Sequence, residues 1–101
     1  MAKVEFANAA VCDLDQVDDY SIGMFGEADA EIYMHGFKEA FALLAQHPFA
    51  GPPKPDLGTG LRCLVHRKHR IFYQADDDAV LVIRIIHHAM DARRVLKGAA
   101  K

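Results

Sequence analysis

The stretch IRIIHHAMDARRVL, residues 83–96, carries two adjacent histidines and three arginines at the end of a strand-forming run. Histidine titrates near neutral pH and can move a proton. Arginine presents a planar fork that matches a carboxylate or a phosphate. Arg84, His87, His88, Arg93 and Arg94 are therefore candidates for gripping an anionic partner. Residues 61–73 add Arg62, Arg67, Lys68 and Arg70 without a single acid. RNA cleavage would need such groups to activate a 2′-OH, protonate the leaving oxygen and neutralise the phosphate. The plainer alternative is that the histidines terminate a strand and the arginines are solvated hairpin charges. Arg84 is the hardest to read plainly. A lone arginine inside a β-branched run needs an internal acid or a ligand, because a buried unpaired charge is costly.

Metal chemistry is not expected. No carboxylate or cysteine stands at ligand spacing from these histidines. Cys12 and Cys63 form no CxxC pair and read as reduced, small core residues. Gly58-Thr59-Gly60 matches no phosphate-binding loop. No cofactor is implied.

Several elements must position these side chains. Lys3–Phe6 alternates polar and apolar, as a short strand does. Asn8 can cap a helix whose Val11, Leu14 and Val17 repeat every three residues to about Tyr20. SIGMFG, residues 21–26, breaks that period. A second helix then carries Ala30, Tyr33, Met34, Phe37, Phe41 and Leu44 on one face, ending at His47-Pro48. So short a break predicts an antiparallel helix hairpin. Residues 48–60 hold four prolines and three glycines and read as a stiff surface loop. Leu61–His66, Arg70–Ala75 and Val80–His87 read as three antiparallel strands joined by tight turns. Asp91 can cap a short terminal helix through Leu96. The expected class is α+β, in the order β-α-α-β-β-β, with the helix hairpin packed on an antiparallel sheet. Strict alternation in the last strand sets Leu81, Ile83 and Ile85 on one face and Val82, Arg84 and Ile86 on the other. One face should lie under the hairpin. The other should stay open as an apolar binding platform.

The chain has 101 residues, 51% of them apolar, which suits one domain with one core. Twelve basic residues against fourteen acidic ones leave a net charge of −2 with neutral histidine. That argues against broad, sequence-blind nucleic-acid binding, where a clearly basic domain is expected. The acids concentrate between residues 13 and 39, so an acidic helical side should oppose a basic sheet side. The N-terminus lacks a signal-peptide apolar region, and no apolar run approaches the roughly 20 residues that span a bilayer. A cytoplasmic location, away from membranes, is expected.

Six short patterns in order along nearly the whole chain carry a family resemblance. They are D-L-x-x-V-x-x-Y (Asp13, Leu14, Val17, Tyr20), F-G (Phe25, Gly26), H-P-x-x-G (His47, Pro48, Gly51), G-L-R (Gly60, Leu61, Arg62), H-R-I-F-Y (His69 to Tyr73) and R-I-I-H-H-A-M-D-A-R (Arg84 to Arg93). In these the chain resembles the RelE/ParE toxin superfamily, and the ParE branch in particular. The resemblance implies the toxin half of a type II toxin–antitoxin pair. ParE toxins poison DNA gyrase on its cleaved DNA and are silenced by a ParD-type antitoxin. The RelE branch instead cleaves mRNA in the ribosomal A site, using sheet lysines and arginines and a tyrosine near the C-terminus. Here Arg70 matches a sheet arginine and His88 lies near a second basic position, yet no tyrosine follows Tyr73. The acidic net charge and the R-x-x-H-x-x-M-D corner (Arg84, His87, Met90, Asp91) favour the ParE branch.

On that reading the candidate gyrase contacts are Arg62, Arg70, Arg84, His87, His88, Arg93 and Arg94, used for binding and not for catalysis. The antitoxin is expected to fold along the groove beside the hairpin and the sheet, touching Val17, Tyr20, Phe72, Val82 and Ile86. A hetero-oligomer with antitoxin is the expected assembly. Alone, the toxin would expose this surface and tend to dimerise. Ribosome-dependent mRNA cleavage remains the alternative activity.

Overall fold

The structure, a computed structural model, describes residues 1–99. Strand β1 (Lys3–Phe6) leads into helices α1 (Asn8–Phe25) and α2 (Glu27–Gln46). Strands β2 (Leu61–His66), β3 (His69–Ala75) and β4 (Ala79–His87) follow, then helix α3 (Ala92–Ala99). The four strands form one sheet in the order β1-β4-β3-β2. β2, β3 and β4 pair antiparallel, as their short turns require. β1 is a difference from a purely antiparallel sheet: it lies parallel to β4, with Val4 opposite Val80. The two-helix crossover makes that possible, since parallel neighbours need a long connection.

α1 runs five residues further than its apolar period suggests. Ser21–Phe25 stays helical, and the chain breaks only at Gly26, whose φ of 86° suits glycine alone. Ala7 takes the N-cap position and makes no side-chain cap, so Asn8 is already helical. The buried face of α1 is Ala10, Asp13, Val17 and Ser21, at spacings of three and four. α2 buries Ala30, Phe37 and Leu44, with Tyr33, Met34 and Phe41 packed beside them. These faces meet Ile71, Tyr73, Val80, Val82 and Ile85 of the sheet to form the main core.

A β-bulge decides which side chains of β4 face the hairpin. Phe72 pairs with Arg84 but Tyr73 pairs with Val82, so Ile83 is an extra residue in β4. The extra residue reverses the alternation of faces. Val80, Val82 and Ile85 therefore share the hairpin side, and Ile83 and Ile86 share the far side. The expectation that Val82 and Ile86 line one open face is thereby corrected. The far face is not open either. Leu61, Cys63, Phe72 and Ile86 are buried beneath Ala92 and Leu96 of α3, with Leu57 of the preceding loop packed alongside. Asp91 caps α3 as expected, its Oδ1 accepting the Arg94 N–H at 3.3 Å. Cys63 is a buried core residue, but Cys12 is exposed on α1, contrary to the reading of both as core.

The loop from Pro48 to Gly60 is pinned to the sheet from two sides. Arg62 Nε donates to the Gly51 carbonyl at 2.7 Å, and its Nη2 donates to the Phe49 carbonyl at 3.0 Å. The Gly51 N–H donates to the hydroxyl of buried Tyr73 at 2.8 Å. A side chain at Gly51 would stand 2.5 Å from the Cys63 carbonyl oxygen, so only glycine allows this approach.

Candidate functional site

The hairpin end of the main core is open. There α1 and α2 stand away from the β2–β3 turn and leave a cavity of about 400 Å³. Its walls are Tyr20, Ser21 and Phe25 of α1, Asp29, Ile32 and Tyr33 of α2, and Arg67, Lys68, His69 and His87 of the sheet. An adjoining cavity of about 430 Å³ shares Tyr20, His69 and His87, and continues along α1 past Gln16 to Arg84 and Met90. Tyr20, Phe25 and Ile32 are each more than 60% exposed and form an apolar lip to the groove. Arg67 and Lys68 form a cationic rim at the turn, where Arg67 adopts a φ of 53°.

The floor of the groove is a histidine cluster. The Tyr33 hydroxyl and His69 Nδ1 are hydrogen-bonded at 2.6 Å. His66 Nε2 reaches the Tyr33 carbonyl at 3.3 Å, and its ring stands edge-on to Phe37 at 4.5 Å. The His69 ring meets His87 edge-on at 5.3 Å, and His87 stacks on His88 at 4.4 Å. Burial pushes the His69 pKa down from 6.5 to about 4, helped by the neighbouring His87, His66 and His88. His69 is thus neutral at physiological pH. Among the described residues, no group of three histidine, cysteine or carboxylate side chains could hold a metal ion.

The candidate cations do not form one corner. Arg84 is held inside the chain, its Nε and Nη2 donating to the two oxygens of Asp13 at 2.7 and 2.9 Å. The partner that its position in the strand demands is therefore an internal acid. Arg62 is engaged by the carbonyls of Phe49 and Gly51. Arg70 lies on the far face, over the Phe72 ring, with Nη2 donating to the Met90 carbonyl at 3.0 Å. His87 lines the groove and His88 is exposed beside it. Arg93 and Arg94 are exposed on α3; among the described residues the ion pair of Arg93 is a 3.9 Å contact with exposed Asp56.

Of the five expected antitoxin contacts, the structure leaves only Tyr20 on the surface. Val17, Phe72, Val82 and Ile86 are buried. Val17 belongs to the main core but also lines the adjoining cavity, Val82 is taken up by the main core, and Phe72 and Ile86 by the cover that α3 provides. The groove instead offers Phe25 and Ile32, which the sequence reading passed over. The signal for Ile32 was there: it is an apolar residue off the buried stripe of its helix. Phe25 was hidden by reading residues 21–26 as a break.

Comparison with known proteins agrees with this architecture. The family model described as ParE toxin of type II toxin-antitoxin system, parDE, matches residues 4–92. Toxin ParE1 of Caulobacter vibrioides is 30% identical over 93 residues, covering 92% of this chain and 96% of the relative. Among solved structures, a chain from the chromosomal ParDE system of P. aeruginosa superposes with a TM-score of 0.73. It shares 21% identity, over 86% of this chain and 96% of that one. A chain from the RelBE2 toxin–antitoxin complex of Mycobacterium tuberculosis superposes with a TM-score of 0.57. It shares 22% identity, over 85% and 96% of the two chains. With its strand, helix hairpin, three-stranded meander and terminal helix in family order, this chain belongs to the ParE toxins of type II toxin–antitoxin systems.

Proposed function

We propose that this protein inhibits DNA gyrase by binding it, and that a ParD-type antitoxin silences it by filling the groove at the hairpin end. The observation that carries the antitoxin half is the bare lip of Tyr20, Phe25 and Ile32 beside the cationic turn Arg67-Lys68. Aromatic and aliphatic anchors in a groove, with charge at the rim, are what an amphipathic segment needs in order to fold on docking. Family membership supports the gyrase half. The placement of the cations supports binding over catalysis. Arg62 and Arg84 each hydrogen-bond to acceptors of their own chain, Arg70 lies in a far-face cleft that no histidine lines, and His69 is a poor base. RNA cleavage needs a cation free for the scissile phosphate close to a group that moves the proton. Exposed His88, Arg93 and Arg94 are the residues best placed to meet a large target. Both proposed partners work in the cytoplasm, so the toxin acts there too.

A gyrase supercoiling and DNA-cleavage assay, run beside a cell-free translation assay, tests the proposal. Blocked supercoiling with intact translation supports it. Fragmented mRNA on ribosomes with normal supercoiling would establish the RelE-type activity in its place.

A further inference from the structure

A second cleft, on the far face of the sheet, is chemically unlike the groove. It encloses about 460 Å³ between β2, β3 and the start of α3. Three cations from three separate elements converge on it: Lys54 from the pinned loop, Arg70 from β3 and Arg93 from α3. Phe72, Cys63 and Met90 form its apolar walls.

Arg70 is the centre of the site. Its guanidinium lies on the Phe72 ring, and Nη2 donates to the Met90 carbonyl. Its Nε is shut away from solvent and has no hydrogen-bond partner among the described residues. A buried donor without an acceptor carries a real cost, so a structure that keeps one is poised to gain from an incoming oxygen. Cys63 lies within reach of two of these charges. Burial pushes that thiol's pKa up, while Arg70 and Lys54 pull it back.

Two carboxylates also line the cleft. Asp91 is turned to its own helix, where it accepts the Arg94 N–H. Asp56 touches Arg93 only at 3.9 Å, with both side chains mostly in solvent, a pairing of little strength that an anion can replace.

We propose that the Lys54–Arg70–Arg93 cleft binds a phosphate of the DNA backbone, giving the toxin its own contact with the nucleic acid. A planar guanidinium beside an aromatic ring, flanked by two exposed cations, suits a tetrahedral diester oxygen pair. A single such cleft on an otherwise acidic protein gives weak, local attachment and not general DNA coating. Its use on gyrase-bound DNA rests on the proposed inhibition of gyrase; the cleft itself does not.

The test uses the full chain with two separate probes, inorganic phosphate and a labelled DNA duplex followed by fluorescence anisotropy. The duplex should bind, and binding should weaken as salt rises. Lys54→Ala combined with Arg93→Ala should weaken it at least about five-fold and lower the salt slope by about 1. Arg70→Gln, which keeps a planar amide but no charge, should act in the same direction. In a Cys12→Ser background, bound duplex should slow the reaction of Cys63 with a thiol reagent. Circular dichroism confirms that each variant is folded. The proposal is overturned if the duplex does not bind, if the double variant binds it as the parent does, or if only inorganic phosphate binds. Gyrase inhibition by a toxin that binds no duplex removes the cleft and keeps the gyrase reading. Duplex binding by a toxin that leaves gyrase untouched does the reverse.

Discussion

Asp13 and Arg84 lie 71 residues apart in the chain and meet in a two-toothed ion pair, at 2.7 and 2.9 Å. Asp13 Oδ2 also accepts the backbone N–H of Ile85 at 2.9 Å. One carboxylate thus ties α1 to β4 at the position where the bulge has just displaced the strand. The side chains are only 9% and 23% exposed, so water cannot easily replace either partner. Asp13→Ala leaves a half-buried guanidinium and a buried N–H unsatisfied, and should cost about 3 kcal/mol. Urea unfolding of the single variants and of the double variant with Arg84→Met measures this. The double variant should recover part of the loss; equal losses for Asp13→Ala alone and for the double variant would contradict the pairing.

His69 makes stability depend on pH. Its folded pKa of about 4 lies below its ordinary value of 6.5, so the unfolded chain binds the proton more readily. The stability that neutral His69 confers is present above pH 6.5 and is lost as pH falls from there toward 4. His69→Gln should flatten the stability curve across that window, measured by urea unfolding at several pH values. The His69 pKa, read by NMR from its ring protons in the folded protein, should lie at about 4. An unchanged curve in the glutamine variant would show that His69 does not carry the acid sensitivity.

Gly51→Ala should lift the proline-rich loop. The added methyl would meet the Cys63 carbonyl at 2.5 Å and the Tyr73 hydroxyl at 2.9 Å, neither of which can move cheaply. The expected cost is about 2 kcal/mol, together with faster proteolysis between Pro48 and Gly60. A variant as stable and as protease-resistant as the parent would mean that the loop is not held there.

Much of this architecture could be read from residue order alone, and the failures have physical causes. The α2 stripe, the three meander strands and the Asp91 cap follow from periodicity and turn chemistry. Those signals act over a few residues. Periodicity ends α1 near Tyr20 because Gly23 reads as a breaker; it stays helical and the chain turns at the positive φ of Gly26. The faces of β4 were misassigned because period-two alternation assumes no bulge, and Ile83 is one. The need of Arg84 for a partner was legible. The identity of that partner was not, since only the fold brings Asp13 to it. The far-face cover was missed for the same reason: Leu57, Ala92 and Leu96 come together only after the meander has formed.

The groove can be tested apart from the fold. Tyr20 and Ile32 are mostly exposed and contribute little to the toxin's own stability. Tyr20→Ala combined with Ile32→Ala should leave the unfolding midpoint nearly unchanged. It should weaken antitoxin binding, measured by titration calorimetry, by about 2 kcal/mol or roughly thirty-fold. Unchanged affinity would place the antitoxin elsewhere on the surface.

The most direct measurement is DNA gyrase activity in the presence of the purified toxin, with and without its antitoxin. The toxin should block supercoiling and accumulate cleaved DNA, and stoichiometric antitoxin should restore full activity. Normal supercoiling at saturating toxin, with cleavage of ribosome-bound mRNA by the same preparation, would contradict gyrase inhibition.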